Sequence, residues 1–512
     1  MREDWIDVEL KDVCLSSKGK KPSVLEKNNS ETANVPYINI KAFEKGIIEE
    51  YTDGEKCNLC EDGDLLMVWD GARAGLTGKA KKGAVGSTLM RIEEVKGIEK
   101  EYLYYFLLSL FTKINTNPRG VGIPHVEPRI LWLSKVLIVS SPIQRAIVSK
   151  IEALFSDLDN GIANLKKAQE QLKIYRQAVL KKAFEGELTK EWREKIVQTP
   201  NLGVSTPLPT AEELLKQIKE ERQNHYNQQI EDWKKAVKEW EKNGKVGKKP
   251  SKPKQQKELP PLNEEELNEL PKLPKSMVWT QLGNVVWSVK DGPHFSPKYS
   301  KTGIPFISGG NIRPEKIDFE KVKYISEELH KELSRRCKPQ LDDILYTKGG
   351  TTGIAKVNTY KFDFNVWVHV AVLRPIQMIL PLYLQHVLNS SHCYKQSQEY
   401  THGVGNQDLG LTRMILITLP ICCKEEQTQI VQEIESRLSV CDKVEQSITE
   451  SLEKAEALRQ SILKKAFEGK LLSEAEIEQC KKAADYEPAA KLLERIKQEK
   501  INKDNNKKTK SK

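Results

Sequence analysis

The sequence has no apolar stretch that could cross a membrane, because none approaches the roughly 18–20 residues that a transmembrane helix needs. The first residues, Met1 to Trp5, lack the apolar core of a secretory signal peptide. The nine cysteines are odd in number and scattered, unlike the disulfide framework of a small secreted domain. These absences predict a cytoplasmic protein with no membrane association.

Motifs for metal binding and catalysis are also missing. Cys57 and Cys60 form a CxxC pair, but no second pair lies nearby to complete a four-ligand zinc site, so free thiols are expected. The segment 75–80 resembles a phosphate loop, yet Arg73 stands at its first glycine position and Ala80, instead of Ser or Thr, follows Lys79. There is no Asn/Asp-Pro-Pro-aromatic run of the kind that amino-methyltransferases use to hold a flipped base. The sequence therefore favours a binding protein without a catalytic or metal site.

The chain has the size and surface charge of a multidomain protein that binds a polyanion. It has 512 residues, 38% of them hydrophobic and 30% charged, which is enough for more than one core. The formal net charge of +10 suits an acidic partner such as nucleic acid. A basic surface that has no such partner is the alternative, and charge alone leaves it open.

An internal repeat organises the chain. Residues 144–188 align without a gap with residues 427–471, at an offset of 427 − 144 = 283. Leu180–Gly186 and Leu463–Gly469 are identical at seven consecutive positions. Further identical pairs are Gln144 and Gln427, Ile151 and Ile434, Asp159 and Asp442, and Arg176 and Arg459. The chain is therefore one module written twice, a globular domain followed by a long helix.

The repeated segments have the apolar spacing of a coiled coil, with steps of mostly three and four residues. The predicted seam consists of Ile151, Leu158, Ile162, Leu165, Leu172, Ile434, Leu438, Ile448, Leu452 and Ile462. Because the chain is duplicated, we expect each helix to pair with its own copy, antiparallel, in a rod of roughly 60 Å; a coiled coil between two chains is the alternative. Gly161 costs a helix about 1 kcal/mol against alanine, so tertiary packing should hold it.

The fold class predicted is α+β: two α/β recognition domains separated by a pair of long antiparallel helices that form an intramolecular coiled coil, with pseudo-two-fold internal duplication. The expected segments are a first domain at 1–142, a helix at 143–190, a linker at 191–274 with a charged helix at 210–241 and a Lys/Pro-rich part, a second domain at 275–423, a helix at 424–471, and a C-terminal helix and basic tail at 472–512. Within the domains, helices are predicted at 101–111 and 380–391, and a strand at 414–419.

Loops rich in glycine and in basic or amide residues follow the predicted strands in both domains. Glycine lets the backbone approach a ligand closely, Arg and Lys can read guanine, Asn and Gln can read adenine, and all can hold phosphates. Ordinary hairpin turns with solvated polar side chains are the alternative. The candidate DNA-contacting residues are Arg73, Lys79, Lys81, Lys82, Arg119, His125, Arg129, Lys290, His294, Lys298, Asn311, Arg313, Lys348, Thr351, Thr352, His402, Asn406 and Gln407.

Several phrases give the chain a family resemblance. They are Leu180–Leu188 with Glu191-Trp192-Arg193, Ser461–Leu471, the opening Asp291-Gly292-Pro293-His294 of the second domain, and Leu-Leu-Glu-Arg-Ile-Lys from Leu492 to Lys497. Together they resemble the specificity (S) subunit of type I restriction-modification enzymes, over roughly residues 1–503. The first domain departs from the pattern, with Lys18-Gly19-Lys20-Lys21-Pro22 in place of the Asp-Gly-Pro-His phrase.

The resemblance implies a non-catalytic subunit whose two target-recognition domains each read half of a split, asymmetric double-stranded DNA target. It implies that the helices set the gap and dock two methyltransferase subunits, which restriction subunits then join. S-adenosylmethionine, ATP and Mg²⁺ would be bound by those partners and no cofactor by this chain, which would lie in the cytoplasm at the nucleoid. Two other functions stay open from the residues: a coiled-coil protein-binding scaffold, and a self-sufficient nuclease or methyltransferase.

Overall fold

The structure, a computed structural model, describes residues 5–120, 122–198, 208–255, 259–403 and 407–510, with backbone alone for 197–198 and 503–510. It has two α/β domains and two long helices, which confirms the predicted fold class. Among the described residues, no helix is both long enough and apolar enough to span a membrane.

The first domain consists of short strands and three helices. Its strands are β1 (Ile6–Glu9), β2 (Cys14–Lys18), β3 (Val35–Ile38), β4 (Tyr51–Thr52), β5 (Leu59–Cys60), β6 (Leu65–Val68), β7 (Thr77–Lys79), β8 (Gly83–Val85), β9 (Leu89–Glu94) and β10 (Lys135–Ile138). Its helices are α1 (Ile40–Lys45), α2 (Lys100–Asn115) and α3 (Pro128–Trp132). One sheet has the order β2-β9-β6-β7, another has β4-β3-β8-β5, and β1 pairs with β10.

The first long helix and the linker helices follow. They are α4 (Ser141–Phe184), α5 (Lys190–Gln198), α6 (Ala211–Lys242) and α7 (Glu264–Asn268). The second half of the linker is not simply solvated, because Trp233 Nε1 donates to the Pro250 carbonyl at 3.0 Å and Trp240 Nε1 to the Gly247 carbonyl at 3.2 Å. These bonds hold part of the Lys/Pro-rich segment against α6, which the composition did not predict.

The second domain repeats the architecture of the first. Its strands are β11 (Val278–Gln281), β12 (Val286–Asp291), β13 (Ile304–Ile307), β14 (Lys323–Ile325), β15 (Ile344–Thr347), β16 (Ala355–Val357), β17 (Asn365–Val366), β18 (Val370–Pro375) and β19 (Thr418–Ile421). Its helices are α8 (Glu327–Ser334), α9 (Pro381–Leu388), α10 (Ser391–Glu399) and α11 (Leu411–Met414). The order β12-β18-β15-β16 is that of β2-β9-β6-β7, and β11 pairs with β19 as β1 pairs with β10.

The chain closes with α12 (Lys424–Phe467), α13 (Glu474–Lys481) and α14 (Ala489–Lys510). The helices predicted at 101–111 and 380–391 are confirmed as α2 and α9 with shifted ends. The strand predicted at 414–419 is wrong at its start, because α11 ends at Met414 and β19 begins at Thr418. An unbroken apolar run does not by itself distinguish a strand from a helical turn.

The chain divides into two compact units that cut across the predicted segments. The first unit comprises residues 1–167 and 447–512, and the second comprises residues 168–446. In the first unit the ring of Phe467 lies 5.2 Å from Phe106, and in the second the ring of Phe184 lies 5.7 Å from Tyr383. The repeated Lys-Lys-Ala-Phe-Glu-Gly therefore ends each helix in the core of the domain that belongs to the other copy.

Within each unit the two long helices run antiparallel. In the first unit Asp159 of α4 pairs with Arg459 of α12, and Lys150, nearer the start of α4, lies 2.6 Å from Glu476 of α13, which follows α12. Residue numbers therefore rise on one side as they fall on the other. In the second unit Arg176 NH2 lies 2.7 Å from Asp442 Oδ1. Arg176 and Arg459 are equivalent in the repeat, and so are Asp442 and Asp159. The same arginine–aspartate ion pair therefore occurs once in each unit. This confirms intramolecular antiparallel pairing.

The predicted seam is buried to different degrees along the helices. Ile151, Ile434, Ile448 and Ile462 are buried, and the other six predicted positions are half-buried. Gly161 is exposed, and a Cβ atom built on it would meet nothing within 4 Å. The expectation that tertiary packing holds this glycine is therefore wrong.

Candidate nucleic-acid interface

The loops of interest in the second domain begin at one edge of its main sheet. Strand β12 ends at Asp291, opposite Ala371 of β18, and β15 ends at Thr347, opposite Val370 of the same strand. Neighbouring residues on β18 thus bring the ends of β12 and β15 together. Asp408 joins the same edge, because Gly349 and Asp408 form an isolated antiparallel bridge.

A buried lysine links these segments. Lys348 Nζ lies 2.6 Å from Asp408 Oδ1 and 3.6 Å from Asp291 Oδ2, and the Lys348 and Asp291 side chains are only 3% and 2% exposed. Asp291 also receives Arg336 NH2 at 2.6 Å and His294 Nε2 at 3.2 Å. A buried charge is costly unless it is paired, and here each buried charge has an opposite partner.

The first domain has a corresponding cluster. Strands β2 and β6 end at Lys18 and Val68, opposite the neighbouring residues Met90 and Leu89 of β9. Beyond β6, Asp70 Oδ2 lies 3.0 Å from Lys18 Nζ, and Asp70 Oδ1 lies 2.7 Å from His125 Nδ1. Three segments of the first domain are therefore linked through one aspartate.

Backbone pairing shows which residues of the two clusters correspond. Lys18 and Asp291 occupy the same register position on their strands. His125 bridges to Asp70 and Arg119, just as Asp408 bridges to Gly349 and His402, so His125 corresponds to Asp408. The central residues Asp70 and Lys348 lie one position apart in equivalent loops. The charges are inverted: the first cluster has basic side chains around an acid, and the second has acids around a base.

Several predicted contact residues lie in these loops with exposed side chains. They are Arg119, His294, Lys298, Thr351, His402 and Gln407, with Lys290 exposed beside them on β12 and Arg129 exposed on α3. His125 is half-buried and paired with Asp70. Asn406 lies outside the described residues. Their contacts with bases or phosphates stay a prediction.

Three predicted contact residues are engaged within the second domain. Lys348 is buried between two carboxylates and is not available to DNA. Thr352 is buried and accepts a hydrogen bond from Gln398 Nε2 at 2.9 Å. Asn311 closes its own turn, because its Oδ1 accepts from the Ser308 backbone N–H at 2.9 Å. In each case polarity suggested a contact, but the side chain bonds within the domain.

Another group of predicted residues is not gathered with these loops. Lys79 pairs with Leu65 at the beginning of β6, the opposite end from Asp70, and Lys81 and Lys82 follow it. Lys79 Nζ lies 2.7 Å from Glu101, and Lys82 Nζ lies 3.1 Å from Glu61.

Two arginines of the predicted set each lie near a carboxylate of the same domain. Arg73 NH1 lies 3.0 Å from Glu44, and Arg313 NH2 lies 4.0 Å from Asp318. Both side chains remain more than half exposed.

The sequence reasoning missed five residues of the two clusters. They are Lys18, Asp70, Asp291, Arg336 and Asp408. An aspartate immediately before glycine, as in Asp70-Gly71 and Asp291-Gly292, was a usable signal, but nothing in the sequence marked Arg336. Two exposed apolar side chains in these loops, Ile123 and Phe295, were also missed.

Metal chemistry has no support in the part of the chain that the structure describes. No group of three or more His, Cys, Asp or Glu side chains there is arranged to hold a metal ion. The Cys60 thiol donates to the Lys81 carbonyl at 3.3 Å, and burial raises its pKa to about 11. Such a thiol stays protonated at neutral pH, whereas zinc binds the thiolate.

Comparison with known proteins places both halves of the chain in one family. The model of the type I restriction modification DNA specificity domain matches residues 2–172 and 277–454. The EcoBI specificity subunit of Escherichia coli is 24% identical, over 98% of this chain and 93% of its own. The EcoDI specificity subunit, also of Escherichia coli, is 23% identical over 78% and 77%.

A solved structure from a study of assembly and conformational transition in the type I R-M system shares the fold. Its TM-score is 0.58 at 17% identity, and the match covers 92% of this chain and 99% of that one. The family model matches more than half of the chain, over both domains and the beginnings of both long helices. The chain therefore belongs to the type I restriction modification DNA specificity family and is a specificity subunit.

Proposed function

We propose that this chain reads a split and asymmetric DNA target, one half with each domain, and has no catalytic activity of its own. The observation that carries the proposal is the double match to the DNA specificity domain, over two domains with the same sheet order. The loops at the sheet edge differ between the domains and even invert their charges. Sequence is read by side chains at base edges, so different loops suit different half-sites.

We propose that α4 and α12 dock two methyltransferase subunits, which restriction subunits then join. Tyr175 and Leu458 are equivalent in the repeat, since 458 − 175 = 283, and they are 45% and 48% exposed. Exposed apolar side chains at matching places on the two helices suit two copies of one partner. S-adenosylmethionine, ATP and Mg²⁺ would then be bound by the partners. The complex would act in the cytoplasm, at the nucleoid.

The proposal is tested by reconstituting the chain with the methyltransferase subunit from the same host and sequencing the methylated positions of the DNA. We expect one bipartite motif with two different halves and two methyltransferase subunits per chain. Replacing the exposed Arg119 by Gln should change or weaken recognition of one half alone. Lys238→Gln on α6, outside both domains, is the matched control. Methylation without a bipartite motif, or turnover by the purified chain alone, would contradict the proposal.

A further inference from the structure

Each domain links three segments through three ionisable side chains, and we call each set a charge bridge. The first charge bridge is Lys18, Asp70 and His125, and the second is Asp291, Lys348 and Asp408. In each, the segments are the end of the first strand of the main sheet, the glycine-containing loop after β6 or β15, and the loop before α3 or α11. The linkage occurs in both copies, although no linked position has the same residue type.

The second charge bridge is the more buried of the two, and Arg336, which also pairs with Asp291, balances its charge. Lys348 and Asp291 are almost wholly buried, and Lys348 lies between two carboxylates, those of Asp291 and Asp408. Asp408 and Arg336 are partly exposed at its rim. With two carboxylates, one lysine and one arginine, the charges sum to zero. The charges therefore have opposite partners within the domain and need no bound polyanion.

The first charge bridge joins the same segments with more exposed groups. Lys18 and His125 are each nearly half exposed, whereas Asp70 is largely covered. Both bridges thus place the central residue inward and the outer residue of the last loop towards solvent. A central residue surrounded by its own partners acts on DNA only through the loops that it holds.

We propose that Asp70 and Lys348 are positioning residues for DNA recognition, each fixing three loops of its domain as one reading surface. The inference rests on the proposed function and deepens it. It separates residues that hold the loops, Asp70 and Lys348, from residues that those loops present, such as Arg119 and His402. A reading loop must be held rigidly by its supporting residues, because small displacements weaken hydrogen bonds to base edges.

The test uses the full chain in the reconstituted methyltransferase complex with three variants: Lys348→Met, Asp70→Asn and, as the matched control, Lys331→Met on the exposed surface of α8. Methylation rates are measured on the cognate target and on DNA with one substituted base pair in either half. Lys348→Met should lower discrimination in the half read by the second domain by roughly tenfold, the scale of one good base contact. Asp70→Asn should do so in the other half, and Lys331→Met in neither.

Salt dependence and thermal unfolding distinguish positioning from other roles. A phosphate contact by Lys348 would, on loss, reduce the slope of log K against log salt by ~0.9 and leave discrimination intact; this result overturns the proposal. A structural role alone would lower the melting temperature without a half-specific effect, and this also overturns it. The double variant Lys348→Met with Asp408→Asn removes the unpaired carboxylate, so it should recover stability but not discrimination.

Failure of the inference and failure of the proposed function give different results. If the unaltered complex methylates no bipartite motif, the proposed function fails. If it does so and Lys348→Met discriminates as well as the unaltered chain in both halves, the positioning role alone is wrong.

Discussion

The two copies of the long helix begin against their own domains in the same way. Gln144 accepts from the Glu99 backbone N–H at 2.8 Å and donates to the Val139 carbonyl at 2.9 Å and the Gly97 carbonyl at 3.1 Å. Its counterpart Gln427 accepts from the Leu380 N–H at 2.8 Å and donates to the Cys422 and Met378 carbonyls. Both glutamines are fully buried. A side chain that bonds only to backbone is retained because its partners do not change when side chains diverge.

The contacts beyond the ends of the helices differ in chemistry. In the second unit Glu426 is buried, accepts from Thr189 at 2.8 Å and Ser276 at 2.9 Å, and pairs with Arg193. The equivalent positions of Glu426 and Thr189 in the first unit are Ile143 and Leu472, both buried in an apolar cluster.

The equivalent of Arg193 is Glu476, an acid on the first unit's surface. Lys150, together with the Ser473 N–H, holds the pKa of Glu476 at about 2. Side chains that contact one another, such as Glu426 and Thr189, can therefore be replaced together by apolar ones while the fold stays the same.

The largest effect is expected at Arg193, where the two units differ most. Arg193→Met leaves Glu426 buried with hydroxyl partners alone, which should destabilise the second unit by about 3–5 kcal/mol. Because the chain has two compact units, the melting temperature of the second unit should fall while that of the first unit stays unchanged.

The first unit itself suggests the control for this substitution. Combining Arg193→Met with Glu426→Ile and Thr189→Leu introduces the apolar pair of the first unit and should recover most of the loss. Lys195→Met, on the exposed side of α5, should have little effect. If Arg193→Met melts like Lys195→Met, the buried ion pair does not stabilise this junction.

A second and smaller effect tests where the units are alike. Gln144→Met and Gln427→Met each keep the side-chain volume but remove three hydrogen bonds to buried backbone groups. Each group left unpaired costs about 1–3 kcal/mol. We expect the two variants to lower the stability of their own units by equal amounts in chemical denaturation. A large loss for one and none for the other would show that the copies differ here too.

The elements of the fold could be predicted because their signals are local. The three-and-four spacing located α4 and α12, and the repeat established that they pair with each other. The strand at 414–419 was partly wrong because an apolar run such as Met414-Ile415-Leu416-Ile417 has no period that separates strand from helix. Local patterns also did not show which domain's core contains Phe184, because tertiary packing decides this.

The candidate interface could be predicted only in part, for a related reason. Glycine-rich loops with exposed residues such as Arg119 and His402 follow from composition. Whether a charged residue points outward or into the domain depends on partners distant in sequence, as Asp291 and Asp408 are for Lys348. The sequence therefore predicted Lys348 as a DNA contact, whereas the structure buries this side chain between two carboxylates of neighbouring segments.

The smallest effect is expected at Gly161, where the two helices have different residues at equivalent positions and packing does not require the glycine. Its counterpart in the repeat is Val444, since 444 − 161 = 283, and both positions are exposed. Gly161→Ala should stabilise the first unit by up to about 1 kcal/mol, because alanine has the higher helix propensity and its Cβ meets nothing. Val444→Ala should gain less in the second unit, because valine lies between glycine and alanine in helix propensity. Melting temperatures of both variants measure this difference.

A Gly161→Ala variant that melts no higher yet assembles poorly with the methyltransferase would show that the glycine serves a partner that approaches α4 closely. The two helices would then not present equivalent surfaces.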